Sequence, residues 1–104
     1  MIKITYCTRD RPDAHPSLVV DGHANYAEYG RDIVCASVSV LFQALANAIE
    51  QTGDGVAVRT FPGDSHIIWT GRQSDKARII TDAFVDGLRI VAATYPEHVE
   101  FKIA

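Results

Sequence analysis

Cysteine is scarce in this chain, which has 104 residues and only two thiols, Cys7 and Cys35. Two cysteines without Cys-x-x-Cys spacing give neither a disulfide framework nor a strong zinc signature. A bridge between them is arithmetically possible, but in a reducing cytosol we expect both to stay free thiols. Close paired spacing is also lacking among the four histidines, which are His15, His23, His66 and His98. We therefore expect no metal and no cofactor, and without a nearby resolving cysteine we disfavour thiol redox chemistry.

Long apolar runs and concentrated positive charge are also in short supply. We find no stretch that approaches the roughly 18 to 20 residues of a membrane span, and the opening residues, MIKITYCT, lack the apolar region of a secretory signal. The ten Lys and Arg residues are scattered, and the net charge is -3. Direct nucleic-acid binding usually needs a concentrated basic face. We therefore expect a cytoplasmic protein that binds neither membranes nor nucleic acid directly.

Length and hydrophobic pattern predict one compact domain over residues 1–104 with an α+β fold. Alternating apolar residues predict five strands, at about 2–8, 17–22, 56–61, 65–70 and 98–103. Apolar steps of three and four predict helices over 33–52 and 75–95, the second capped by Ser74 and closed by Pro96. The order ββαββαβ favours a two-layer sandwich, with two helices packed on one face of a mainly antiparallel sheet.

The predicted helix faces and one tryptophan define the expected core. The first helix should bury Val34, Val38, Leu41, Leu45 and Ala48, and the second Ala77, Ile80, Phe84, Leu88, Val91 and Tyr95. Trp69 alternates with Ile67 on the fourth strand. Either Trp69 belongs to the core, or it lies on the opposite sheet face and forms part of a dimer surface.

The chemistry of the chain centres on the start of the first helix. Asp32 precedes the apolar run, where a carboxylate can accept hydrogen bonds from free backbone amides. Cys35 then falls in the first turn, where those amides and the helix dipole favour a thiolate. His23 ends the second strand, so it can meet Cys35 as the base of a nucleophile pair if the two ends adjoin. A buried structural thiol is the alternative interpretation.

Neighbouring residues suggest supporting roles that the sequence leaves open. Asp32 either caps the helix or orients His23, and helix-start amides, including that of Cys35, are candidate oxyanion donors. Ser39 lies one turn beyond Cys35, where it leaves space for a substrate or bonds back to the Cys35 carbonyl. The segment 24–31 contains Tyr26, Tyr29 and Gly30. We expect these three to form a lid that orders over a bound substrate.

The run GHANYAEYGRDIVCASVSVL, residues 22–41, resembles the signature of the ribosomal-processing cysteine protease family, Prp. The match is close at Gly22, His23 and Ala24, at Gly30, and over 32–41, and weaker similarity covers essentially the whole chain. The resemblance implies a small α+β homodimer with the motif cysteine, Cys35, as nucleophile and the motif histidine, His23, as general base. Asp32, Ser39, Gly22 and Gly30 match further motif positions.

The resemblance also implies a substrate. Family members remove an N-terminal extension from the twenty-seventh protein of the bacterial large ribosomal subunit, with cleavage after an apolar aromatic residue. Ser37 departs from the pattern, since the family often has alanine there, and we expect the extra hydroxyl to be harmless. Cys7 has no motif counterpart and is interpreted as structural. The alternative function is a non-catalytic ribosome-associated factor that binds the same peptide.

Overall fold

The computed structural model describes residues 1–8, 15–28 and 30–104. Its elements follow the predicted order ββαββαβ. They are β1 (Ile2–Cys7), β2 (Ser17–Asp21), α1 (Ile33–Glu50), β3 (Val56–Arg59), β4 (Asp64–Trp69), α2 (Asp75–Thr94) and β5 (Val99–Ile103). The α+β prediction is confirmed, with boundaries that move by only a few residues.

The five strands form one sheet in the order β3-β4-β2-β1-β5. β1 and β2 pair antiparallel, as do β2 with β4 and β3 with β4, so both predicted hairpins are present. β5 adds parallel to β1 at the sheet edge, which places Val99 beside Ile2. The sheet is therefore mainly antiparallel, as predicted, and the end of α2 is carried close to the start of β1.

The core lies between one sheet face and the two helices. Ile4, Leu18 and Ile67 supply the sheet side and are essentially fully buried. Trp69 is also 0% exposed, and its indole N–H donates to the Asp54 carboxylate at 3.0 Å. The core interpretation of Trp69 is therefore correct, and the suggestion that it lies on a dimer surface is wrong.

Both helices bury a slightly different stripe from the predicted one. α1 buries Val34, Val38, Phe42, Leu45, Ala46 and Ile49, and α2 buries Ala77, Thr81, Val85 and Leu88. Each helix packs against the sheet and also against the other helix, so its buried sector is turned toward both neighbours. Gly87 lies where the helices meet, and a Cβ there would come within 3.2 Å of a Leu41 methyl group.

The expectation that no apolar stretch approaches the length of a membrane span is wrong. α1 is 18 residues long with a mean hydropathy of 1.6, which is long and apolar enough to cross a membrane by length and composition alone. The core helix of a folded domain satisfies the same criterion. Here α1 packs on the sheet and on α2, although Ile33 and Val40 remain 53% and 65% exposed on its outer side.

Candidate active site

An open cleft of about 480 Å³ lies at the N-terminal end of α1. Its walls are the segment that follows β2, the first three turns of α1 and the turn between β3 and β4. The lining includes Gly22, His23, Asn25, Ala27, Gly30, Asp32, Cys35, Ser39, Gln43, Phe61 and Gly63. The structure thus gathers most of the predicted site residues around one cavity.

Cys35 lies in the first turn of α1, as predicted, and its side chain is half-buried. The backbone N–H of Ala24 donates to the Cys35 Sγ at 3.3 Å. This hydrogen bond fixes the sulfur relative to the backbone of the segment after β2. Ala24 directly follows His23 in the chain, so this hydrogen bond also holds the backbone of His23 beside the sulfur.

Asp32 caps α1 and ties it to the preceding loop. Its Oδ1 accepts from the N–H groups of Val34 and Cys35 at 3.0 and 2.9 Å, and its Oδ2 accepts from those of Tyr26 and Ala27 at 2.9 and 3.4 Å. Partial burial raises the pKa of Asp32, but the amide hydrogen bonds, led by that of Cys35, outweigh it and leave the pKa below its usual value. Of the two roles left open, the geometry shows the cap.

The backbone amides of Val34 and Cys35 are already engaged, which corrects our expectation that the Cys35 amide is an oxyanion donor. The N–H groups of Val34 and Cys35 both donate to Asp32 Oδ1, and that of Ala36 donates to the Asp32 carbonyl at 3.0 Å. An amide held this way is not free to bind a developing oxyanion. The reason is that a carboxylate at the cap position satisfies the groups that an uncapped helix would leave open.

Two glycines position His23. Gly22 has φ +91° and donates its N–H to the Gly63 carbonyl at 2.9 Å, while a Cβ on Gly22 would collide with the Met1 carbonyl oxygen. Gly63, with φ +75°, lies directly against the His23 ring, and a Cβ there would come within 2.5 Å of His23 Nε2. The turn between β3 and β4 is therefore a support for the imidazole.

The Tyr26 side chain does not lie over the cleft. Its ring makes edge-to-face contacts with Tyr95 at 5.5 Å and with His98 at 5.3 Å between centroids. Tyr26 is therefore packed against the segment that joins α2 to β5, and its role in a lid stays a prediction. Gly30 borders the cleft with φ +86°, and Tyr29 lies outside the described residues.

The family model described as Cysteine protease Prp matches residues 1–100. This chain belongs to the Prp family. A Staphylococcus aureus protein named Ribosomal processing cysteine protease Prp is 32% identical over 88 residues, which cover 82% of this chain and 83% of that protein. The family is one of cysteine-type peptidases, so the chain is a cysteine peptidase and hence a hydrolase.

Solved structures show the same fold. The chain is similar to S. aureus Prp in complex with a covalently linked product peptide, with a TM-score of 0.87, 26% identity and full coverage of both chains. It is also similar to a crystal structure of S. aureus Prp with a substrate peptide, with a TM-score of 0.81 and 25% identity over both complete chains. A Streptococcus mutans protein of known structure is 32% identical with a TM-score of 0.72, over 99% of this chain and 93% of that one.

Several residues in or near the cleft of this Prp family member were not predicted from the sequence. Asn25, Gln43 and Phe61 line the cleft, and Phe61 is 60% exposed with the Arg59 guanidinium 5.3 Å from its ring centroid. Gly63 could have been suspected, because Pro62 and Gly63 mark a tight turn. His98 carried no usable signal, since it lies 74 residues from the backbone atom that it contacts.

The serines near the site take different positions. Ser39 borders the cleft one turn beyond Cys35, as expected, and within the described residues no hydrogen bond joins its hydroxyl to the Cys35 carbonyl. Ser37, the departure from the Prp pattern, is exposed and donates to the Ile33 carbonyl at 2.6 Å. Its hydroxyl is thus satisfied within the helix and lies outside the cleft lining.

Proposed function

We propose that this protein removes the N-terminal extension of the twenty-seventh protein of the bacterial large ribosomal subunit, with Cys35 as nucleophile and His23 as general base. The observation that carries the site assignment is the 3.3 Å hydrogen bond from the Ala24 N–H to Cys35 Sγ. It joins the residue after the histidine to the sulfur at the edge of an open cleft. The Prp complexes with substrate and product peptide support a peptide as ligand.

The reaction follows from these two side chains. His23 takes the Cys35 proton, and the sulfur attacks the carbonyl carbon of the scissile peptide bond. The tetrahedral intermediate collapses to a thioester as the protonated His23 gives its proton to the leaving amine. Water, deprotonated by His23, then attacks the thioester, and the new carboxyl end leaves as the thiol is restored.

Charge on the tetrahedral intermediate requires donors other than the capped helix amides. Asn25, Ser39 and Gln43 present neutral polar side chains to the cleft, and such groups can form an oxyanion site. Asp32 acts indirectly, because its carboxylate holds the Cys35 backbone and the loop after β2 in one arrangement. Gly22 and Gly30 supply backbone conformations with positive φ beside the site.

The cleft also fits an apolar peptide side chain. Phe61 forms an exposed apolar wall on one side, and Val38 and Phe42 of α1 contribute to the lining on the other. An aromatic residue before the scissile bond would bury apolar area against these groups. This arrangement suits the family's cleavage after an apolar aromatic residue.

We further propose that the enzyme acts in the cytoplasm as a homodimer. Apolar side chains on the outer sides of both helices support self-association: Ile33 and Val40 of α1 and Ile79 and Ile90 of α2 are each more than half exposed. Burying such residues between two copies would stabilise a dimer. Sedimentation equilibrium of the purified protein measures this directly.

Mass spectrometry of the extended ribosomal protein from the same organism tests the proposed activity. The protein is incubated with reduced wild-type enzyme and with Cys35→Ala and His23→Ala variants. We expect one cut near the N-terminus with wild type and none with either variant. Matched controls are Cys7→Ala and His66→Phe, which replace a cysteine and a histidine outside the cleft lining and should leave cleavage unchanged.

Two outcomes would contradict the proposed activity in different ways. Intact substrate with wild-type enzyme, together with peptide binding that survives Cys35→Ala, would favour the non-catalytic binding factor. Cleavage that persists in Cys35→Ala would reject Cys35 as the nucleophile.

A further inference from the structure

We infer that His98 is a positioning residue for the reacting thiol, and that it acts through the backbone of Ala24. The inference rests on the proposed role of Cys35 as nucleophile. His98 lies in the segment between α2 and β5, far from the site motif in sequence. Its Nδ1 is 3.0 Å from the Ala24 carbonyl oxygen.

The direction of this hydrogen bond follows from its acceptor. A carbonyl oxygen can only accept, so His98 Nδ1 carries the proton and donates it. Ala24 is then held at both of its polar backbone groups: its carbonyl accepts from His98, and its N–H donates to Cys35 Sγ. Ala24 is 2% exposed, so its backbone has little water to take the place of either partner.

The two hydrogen bonds of Ala24 fix the peptide groups on either side of this residue. The N–H belongs to the peptide bond that follows His23, and the carbonyl belongs to the peptide bond that precedes Asn25, a residue with φ +54°. Loss of the His98 donor would free the second peptide to rotate. The Ala24 N–H would then lose its alignment with the sulfur, and the His23 backbone would move with it.

His98 is itself well anchored. Its carbonyl accepts from the Ile2 N–H at 2.9 Å, and its N–H donates to the Tyr95 carbonyl at 3.0 Å. Its ring is contacted edge-to-face by Tyr26, whose own N–H donates to Asp32 Oδ2. β1 and the end of α2 therefore hold the backbone of His98, and Tyr26 links its ring to the cap of α1.

Two substitutions separate the hydrogen bond from the packing of the ring. His98→Phe keeps an aromatic ring against Tyr26 and removes the donor. His98→Asn loses the ring but keeps an N–H close to the position of Nδ1. If His98 positions the thiol, the His98→Asn variant should behave like wild type and His98→Phe should not. If the ring contributes only packing, the opposite result is expected.

The first readout is alkylation of Cys35 by iodoacetamide at neutral pH, followed by mass spectrometry of both cysteine peptides. Cys7, on β1, serves as an internal reference because it lies outside the cleft lining. We expect His98→Phe to slow modification of Cys35 about tenfold, which is within the range for losing one ordinary hydrogen bond. Cys7 should react at the wild-type rate, and His98→Asn should stay within about threefold of wild type at Cys35.

The second readout is kcat and KM on a cleavable peptide. His98→Phe should lower kcat about tenfold and change KM less than about twofold, since the thiol is affected more than the peptide-binding walls. His66→Phe, which changes a histidine outside the cleft lining, is the matched control and should behave as wild type.

Wild-type alkylation of Cys35 in His98→Phe would overturn the inference, as would equal losses in the phenylalanine and asparagine variants. A rise in Cys7 reactivity to match Cys35 would show general unfolding and would also count against it. The alkylation arm needs no substrate, so a failure of the proposed ribosomal activity would appear separately, as lack of cleavage by the wild-type enzyme.

Discussion

The N-termini of the two helices can be compared position by position. Asp32 caps α1 and accepts from the Cys35 N–H, and Ser74 caps α2 and accepts from the Ala77 N–H at 3.1 Å. Cys35 and Ala77 therefore occupy equivalent third positions of capped helices. Ala77 is 0% exposed, whereas Cys35 borders an open cleft.

A carboxylate also ties each helix start to another segment, but in different directions. Asp32 accepts from the loop amides of Tyr26 and Ala27, and Asp54 accepts from the Ser74 N–H at 2.9 Å and from the buried indole of Trp69. Burial raises the pKa of Asp54, but its hydrogen bonds from Ser74 and Trp69 have the larger effect and leave the pKa below its usual value. A capped helix start is thus only a structural support. The start of α1 differs because Cys35 borders a cleft there and accepts a hydrogen bond from the Ala24 N–H.

The largest effect should come from moving the thiol between the two helices. An Ala77→Cys, Cys35→Ala variant carries a cysteine at the equivalent capped position. We expect cleavage to fall at least about a thousandfold, because the new thiol is buried and lacks both His23 and a cleft. Peptide cleavage followed by mass spectrometry checks this, and recovery of activity would show that the capped turn alone suffices.

Substitution at the turn that supports His23 should come next. Gly63→Ala would push a methyl group into the His23 ring, and we expect kcat/KM to fall about a hundredfold as the imidazole is displaced. Gly53→Ala is the matched control, since Gly53 has φ +84° and a Cβ at that position would meet no atom of the described residues within 4 Å outside its chain neighbours. Both should lower the free energy of unfolding by about 1 to 2 kcal/mol from backbone strain. Similar kinetics in the two variants would reject the supporting role of Gly63.

Replacing either carboxylate should have a similar effect on stability, but the effects on activity should differ. Asp32→Asn and Asp54→Asn should each lower the free energy of unfolding by about 1 to 2 kcal/mol at neutral pH. Only Asp32→Asn should also lower kcat/KM, because only Asp32 holds the Cys35 turn. Denaturant unfolding and peptide kinetics measure the two quantities, and equal kinetics would erase the proposed difference between the helix starts.

The stability effect of Asp32→Asn should also depend on pH. The pKa of Asp32 is lowered in the folded protein, so its contribution to stability is fully present above the ordinary carboxyl value of 3.8 and is lost as pH falls through the lower folded value. The difference between wild type and variant should therefore shrink in acid. A constant difference would show that the charge of Asp32 contributes nothing.

The smallest effect should come from Ser37. Ser37→Ala removes a hydrogen bond from an exposed hydroxyl to the Ile33 carbonyl, and we expect the free energy of unfolding to change by less than about 0.5 kcal/mol. Activity should be unchanged, because Ser37 lies outside the lining of the cleft that Cys35 borders. Any change in kcat/KM beyond about twofold would show that α1 tolerates substitution near Cys35 less than we infer.

Sequence reasoning succeeded where the determining forces act locally. The cap at Asp32 and the place of Cys35 in the first turn follow from neighbouring residues and from the free amides that any helix start carries. It could not place two distant segments relative to each other, and so it did not anticipate that the Tyr26 ring packs on Tyr95. The oxyanion prediction failed for a related reason, since the cap that the sequence predicted had already engaged the Cys35 amide.

The amino-acid sequence by itself determined the order of strands and helices, the capped first turn that holds Cys35, and the motif that identifies the Prp family. Only the tertiary structure decided that the Ala24 amide points at the sulfur, that Gly63 supports His23, and that His98 reaches Ala24 from 74 residues away. The physical reason is distance along the chain. Periodicity and capping depend on residues within a few positions of one another, whereas these contacts exist only after the sheet has brought the ends of β1, β2, β4 and α2 together.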